Sequence, residues 1–222
     1  MLAWYFAQKS EELQYGDNRK IVLGETHKVD GPLELCKKGL HASERLLDAL
    51  KYAPGNILFK VRLEGELLIG HDKVCATERT YIQRLDATEV LQRFARRQAM
   101  INISLIEPYC SAEDYTLILR FLANGEKSLS KNAYAADHAA VYAAANAATN
   151  AADAADCAAY AAAYAADCAA YAATNAADAA ANADYAAKAV YAAADYTADY
   201  TAAYTAANEM LTDMVEEAFL NV

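Results

Sequence analysis

The chain of 222 residues is 56% hydrophobic and 23% charged, which allows one or two domains with an ordinary core. Its net charge of −10 is not spread evenly: residues 1–130 hold 18 Lys/Arg against 18 Asp/Glu, while residues 131–222 hold 2 against 12. An acidic half of this kind argues against direct contact with nucleic acid or an anionic membrane, and no apolar run approaches the ~18 residues of a membrane span.

From the start, MLAWYFAQ (1–8) reads as a strand with Trp4 and Tyr5 on opposite faces. KIVLGETHKV (20–29) reads as a second extended piece, and Leu33–Cys36 as a short strand after the DGP turn. Ser43 is the expected N-cap of a helix through SERLLDALKYA, which Pro54-Gly55 stops. NILFKVRLEGELLIG (56–70) alternates as two strands broken at Glu64-Gly65, and DKVCATERTYIQRL (72–85) adds another. The pattern then turns helical. Asp86 with Glu89 suggests a capping box for ATEVLQRFARRQAM, and Ser111 with Asp114 a second one for EDYTLILRFLA, closed at Asn124-Gly125. EKSLSK (126–131) reads as a hinge.

From Asn132 to Asn208 there is no Gly or Pro, and alanine dominates, so a long helix is expected. Asp156, Asp167 and Asp178 recur every 11 residues, as do Cys157 and Cys168, and Tyr160 and Tyr171. Eleven residues in three turns is close to a straight helix, and at roughly 98° per residue these side chains form one stripe. The register breaks near Asn182–Tyr185, where a kink or an antiparallel turn is expected. Without Leu, Ile, Phe, Met or Trp in this stretch, burial has to come from alanine contacts, from tyrosines, or from both. The alanine face, uncharged between Ala158 and Ala177, is expected to make the closest contact, with tyrosines flanking it. Leu211, Met214, Val215, Phe219 and Leu220 return to ordinary helical spacing and should dock on something apolar. The expectation is an α+β protein: a small α+β head at 1–128, then an alanine-rich acidic helical segment at 129–222 forming a rod, hairpin or coiled coil.

Cys36, Gly39-Leu40-His41-Ala42, Leu46-Leu47-Asp48-Ala49-Leu50, Tyr52, Pro54-Gly55, the Val61–Gly65 strand end and Asp72-Lys73-Val74 together resemble a small domain of unknown function from phage and prophage proteins. The resemblance covers roughly residues 20–105 and implies no established activity. It implies a phage-type chain, with alanine-containing repeats downstream.

Five cysteines without CxxC spacing read as free thiols in a reducing cytoplasm, and the N-terminus is charged too early for a signal peptide. A soluble cytoplasmic protein is expected, without metal or cofactor, because Cys36 with His41 lacks two further ligands at convincing spacing. His41 is the weak catalytic candidate: ADP-ribosyl-transferring folds similarly place a histidine on an early strand, with a later glutamate. Arg93, Arg96 and Arg97 form a small basic helix face that glutamates dilute. Asp153, Asp156, Tyr160, Tyr164, Asp167, Tyr171 and Asp178 are the candidate binding residues, as a face for a protein partner with a basic groove. That partner could be a host defence or nucleic-acid-handling factor, which would make the chain a counter-defence inhibitor or nucleic-acid mimic. A homo-oligomer is also expected. The alternatives are a small ADP-ribosyltransferase-like enzyme whose tail serves oligomerisation, and an ice-binding helix. The second wants regular threonine, whereas Thr149 gives way to Tyr160 and Tyr171.

Overall fold

A computed structural model describes residues 1–101, 103–126, 128–129, 132–133, 136, 183–188 and 200–221. Strands β1 (Leu2–Ala7), β2 (Thr26–Lys28), β3 (Leu40–Ala42), β4 (Ile57–Ile69) and β5 (Val74–Asp86) form one mixed-length antiparallel sheet. Helices α1 (Leu46–Leu50), α2 (Thr88–Ile101), α3 (Ala112–Asn124) and α4 (Tyr200–Leu220) accompany it, with a 3-10 helix at Ile103–Tyr109. The head is therefore α+β, and every strand among the described residues lies before Ala87. The chain falls into two compact units, one of Met1–Thr88 with Leu211–Val222, the other of Glu89–Met210.

In the first unit the order is β1-β4-β5-β2, with β3 pairing on β5 as well. β5 is long enough to carry both short strands end to end: Thr26–Lys28 lies opposite Thr80–Glu78, and Leu40–Ala42 opposite Ala76–Val74. Ile57, Phe59, Val61 and Leu63 alternate along β4 into a core with Ala3, Leu40, Ala76 and Tyr81, as a half-buried antiparallel strand should. Phe219 near the end of α4 stacks on Trp4, ring centroids 6.3 Å apart and planes at 21°.

Several expectations need correction here. Segment 56–70 is one strand, because the chain bulges at Glu64/Leu67 instead of breaking. Gly65 supplies the left-handed φ of +76° that the bulge requires, where a Cβ would meet Thr77 Oγ1 at 2.1 Å, and that hydroxyl accepts the Glu66 N–H at 3.0 Å. Leu33–Cys36 is a tight turn closed by Lys38 N–H to Glu34 O (2.8 Å), and the strand comes later, at Leu40–Ala42. Of the extended piece at 20–29, only Thr26–Lys28 is strand. Ser43 does not cap α1. Its N–H and C=O are both exchanged with Trp4 (3.0 and 2.8 Å), so it belongs to the sheet, and Arg45 stands at the N-cap without a capping side-chain bond, its guanidinium turned instead to Asp48. Leu211, Met214 and Val215 are buried as expected, but Leu220 is 88% exposed because it ends the helix.

In the second unit, α3 follows its caps closely. Ser111 accepts the Asp114 N–H (3.1 Å), and Gly125 closes the helix in the left-handed region, its N–H on Phe121 O (2.7 Å). Arg96 lies against that C-terminus, so close that a Cβ on Gly125 would sit 2.4 Å from its Cζ. The Arg93, Arg96, Arg97 face is therefore only partly solvated, with Arg97 exposed and the other two half-buried. Residues 183–188 are helical, with Ala183, Ala186 and Ala187 fully buried and Tyr185 49% exposed. In this short piece alanines face inward and the tyrosine faces out. Of the expected hinge at 126–131 only 126, 128 and 129 are described, and of the expected kink at 182–185 residues 183–185 are described and are helical; the 11-residue stripe falls wholly outside the described residues.

Candidate functional site

β5 turns a charged residue inward. Arg79 and Tyr81 stand two positions apart, so their side chains project to the same side of the strand, and Arg79 is only 2% exposed. Among the described residues no carboxylate pairs with it. Its Nη1 donates to His41 O (2.5 Å), and Nε and Nη2 donate to the Tyr81 hydroxyl (3.1 and 2.8 Å). The Tyr5 ring covers the guanidinium at 3.8 Å, a cation–π contact that softens burial without neutralising the charge.

The Tyr81 oxygen, accepting twice from Arg79, has its own proton left for His27 Nδ1 at 2.9 Å. That assigns His27 the tautomer with hydrogen on Nε2, which donates to Lys20 O at 3.1 Å. Burial, followed by the nearby Arg19 and Arg79 charges, holds His27 below its ordinary pKa, so the ring is neutral as this chain of bonds requires. Burial likewise raises the Tyr81 phenol.

Arg79, Tyr5 and His41 line a cleft of about 650 Å³, together with Trp4, Tyr52, Cys36 and Lys73. That volume is in the range of small-molecule sites. At the His41 side the backbone makes an unusual turn. Cys36 holds φ +67° and Gly39 φ +127°, and a Cβ on Gly39 would meet Cys75 Sγ at 2.1 Å. Only glycine fits there. The turn aims the Cys36 N–H at His41 Nε2 (3.1 Å), so that nitrogen is an acceptor, while the ring also bonds the Gly39 backbone. Burial, and then Lys73 and Arg79, push the His41 pKa down. Both ring nitrogens are thus committed to backbone in the neutral state. Cys36 offers His41 its N–H and not its thiol, which instead receives Lys73 Nζ at 3.2 Å.

Lys73 is the second cation of the cleft. Its ammonium sits over the Tyr52 ring (3.8 Å), and the Tyr52 hydroxyl donates to Asp72 (2.6 Å). Burial acts to lower the Lys73 pKa, but its bonds to Tyr52 and Cys36 outweigh this and raise it. Two carboxylates lie nearby, and both are engaged elsewhere. Asp17 is gripped by Arg19 through both oxygens (2.6 and 2.7 Å), which outweighs burial and lowers its pKa, and Asp72 accepts a hydrogen bond from the Tyr52 hydroxyl. Lys37 pairs with Glu34, and Lys38 Nζ lies 2.6 Å from where a Gly31 Cβ would be, so neither ammonium serves the cleft centre.

Of the candidates drawn from sequence, His41 is in the cleft. Asp153, Asp156, Tyr160, Tyr164, Asp167, Tyr171 and Asp178 lie outside the described residues. Arg79 and Lys73 were not singled out as binding residues. The signal available was an arginine two residues from an aromatic in an alternating strand, the inward phase of the pattern.

Comparison with known proteins returns one family model, described as a domain of unknown function (DUF7666), over residues 9–93. The match takes in β2 to β5 and most of the cleft lining, but not β1 with Trp4, Tyr5 and Phe6. No curated protein and no solved structure matches the chain. Among the described residues no helix is long and apolar enough to cross a membrane.

Proposed function

We propose that this chain is a non-catalytic interaction protein whose acidic alanine/tyrosine segment engages a basic protein surface. The observation that carries this reading is the segregation of charge, with 12 Asp/Glu against 2 Lys/Arg after residue 130 and an even balance before it. Asp153, Asp156, Asp167 and Asp178, three to eleven residues apart in sequence, would, if the segment forms the expected helix, offer a row of negative charge like a phosphate backbone. Tyr160, Tyr164 and Tyr171 would add rigid contact area. A groove that otherwise holds DNA or RNA suits such a row, and in a phage setting a host defence factor would be a fitting owner of it. Cytoplasmic residence and self-association of the segment belong to the same proposal.

The cleft geometry supports binding over catalysis in the head. A general base needs a nitrogen or carboxylate able to take a proton, and His41, Asp17 and Asp72 are each committed to other bonds. His41 in a cleft is what favours the second reading, ADP-ribosyl transfer. Against it, no glutamate is among the residues lining the cleft.

Capture of host proteins by the full chain tests the proposal. The expected result is a partner retained at low salt, released as ionic strength rises, and lost when Asp153, Asp156, Asp167 and Asp178 are changed to Asn. Incubation with NAD and lysate provides the opposing arm. Label transfer abolished by His41→Ala, with Tyr160→Ala/Tyr164→Ala unaffected, would replace this reading with the enzymatic one.

A further inference from the structure

A buried cation without a counter-charge is costly unless something supplies the missing anion. Arg79 meets that description. It is 2% exposed, its three bonds go to a carbonyl and a phenol, and of the five N–H groups of a guanidinium two remain, one on each terminal nitrogen. These two belong to the fork that matches oxyanions. Lys73 gives the same cleft a second ammonium that among the described residues has no carboxylate partner, resting on an aromatic face and a thiol. Of the nearby acids, Asp17 is neutralised by its ion pair with Arg19, while Asp72 keeps its charge and accepts from the Tyr52 phenol, forming no ion pair with either cation. Two positive charges against one open cleft fit a dianion better than a carboxylate.

We propose that this cleft binds the phosphate group of a small phosphorylated molecule, with Arg79 as the buried anchor and Lys73 as the second cation. The bond chain from Lys20 O through His27 and Tyr81 holds Arg79 in place, so the site is preorganised and the anion meets a fixed fork. The cleft also carries aromatic surface: Trp4, Tyr5, Tyr52 and the fully exposed Tyr15 line it. A planar group attached to the phosphate would lie against these rings, so an aromatic ester is preferred over the bare ion. The inference stands apart from the acidic segment. It concerns other residues, and the variants that test it leave that segment untouched.

The experiment is a titration of the full-length, ¹⁵N-labelled protein at constant ionic strength with three probes: inorganic phosphate, phenyl phosphate and benzoate. Expected are saturable shifts of the Gly39–Ser43 amides and the Arg79 side-chain N–H with both phosphates, with phenyl phosphate at least 3-fold tighter, and at least 10-fold weaker binding of benzoate. Equal affinity for the two phosphates would assign the site to the free ion and overturn the ester. Benzoate as tight as phenyl phosphate would overturn the phosphate assignment, and no saturable shift with any probe would overturn the site. Arg79→Lys should weaken phenyl phosphate at least 10-fold. Should that variant fail to fold, Lys73→Gln, on the cleft rim, should weaken it at least 3-fold, and unchanged affinity there would contradict the two-cation site.

Discussion

Replacing Tyr81 with Phe removes one oxygen and tests the whole interior of the cleft. That oxygen accepts two bonds from Arg79 and gives its proton to His27, among residues that are 0%, 2% and 7% exposed. Hydrogen bonds to a charged group contribute roughly 1.5–3 kcal/mol each and a neutral one about 1, so the three sum to a ceiling of about 4–7 kcal/mol. Water entering the cleft can satisfy part of the exposed guanidinium, which brings the expected loss to about 3 kcal/mol. Trp4, the single tryptophan, is 7% exposed and stacked on Phe219, so its fluorescence reports the unit that holds the sheet. With a urea dependence of about 2 kcal/mol per M, the midpoint should fall by about 1.5 M. Tyr5→Phe is the control: its ring still covers Arg79, and a shift below about 0.3 M is expected. A Tyr81→Phe shift that small would refute the argument, because Arg79 would then not depend on the phenol.

Gly39→Ala should cost more than about 2 kcal/mol in the same assay, since both its φ of +127° and the Cys75 sulfur 2.1 Å from the new Cβ oppose it. Asp48→Ala should cost about 3 kcal/mol, because the carboxylate is 1% exposed and bridges Arg45 and Lys51 at 2.6 and 2.7 Å. For pH, His27 and His41 have folded pKa values below their unfolded 6.5. Between the two values the unfolded chain binds more protons, so stability is full above pH 6.5 and falls below it, by up to about 1.4 kcal/mol per pH unit for each histidine. Chemical denaturation from pH 5 to 7.5 checks this, and a flat profile would contradict the buried neutral assignment. Asp17, lowered by Arg19, and Asp86, lowered by its bond to Thr88, add a second loss as pH falls below the ordinary carboxylate range.

Elements with a strong local signal were legible in the chain. Leu2–Ala7 and Val74–Asp86 are rich in aromatic or β-branched residues, and α3 is bracketed by Ser111 and Gly125, whose side-chain oxygen and left-handed φ act within a few residues. Errors came where distant partners decide. Ser43 has the chemistry of a cap, yet Trp4, thirty-nine positions earlier, takes both its backbone groups. Glu64-Gly65 reads as a break, but β5 runs alongside both halves, so the glycine accommodates a bulge. The cleft was hidden for the same reason. Lys73 meets Cys36 and Tyr52, and Arg79 meets Tyr5 and His41, only through folding that brings together residues about twenty to seventy-five positions apart. Read alone, Glu78-Arg79-Thr80 is a solvated charge pair. His41 was visible from its Gly-Leu-His context, but its bonds to backbone were not.

The central claim, that the acidic segment binds a basic surface by charge, is tested most directly by measuring partner capture against salt with the full chain. Exposed charges are screened over ~10 Å at 0.1 M salt. Capture should therefore weaken at least 10-fold between 0.05 and 0.5 M, and vanish at low salt when Asp153, Asp156, Asp167 and Asp178 become Asn. Capture indifferent to salt and retained by that variant would contradict the claim.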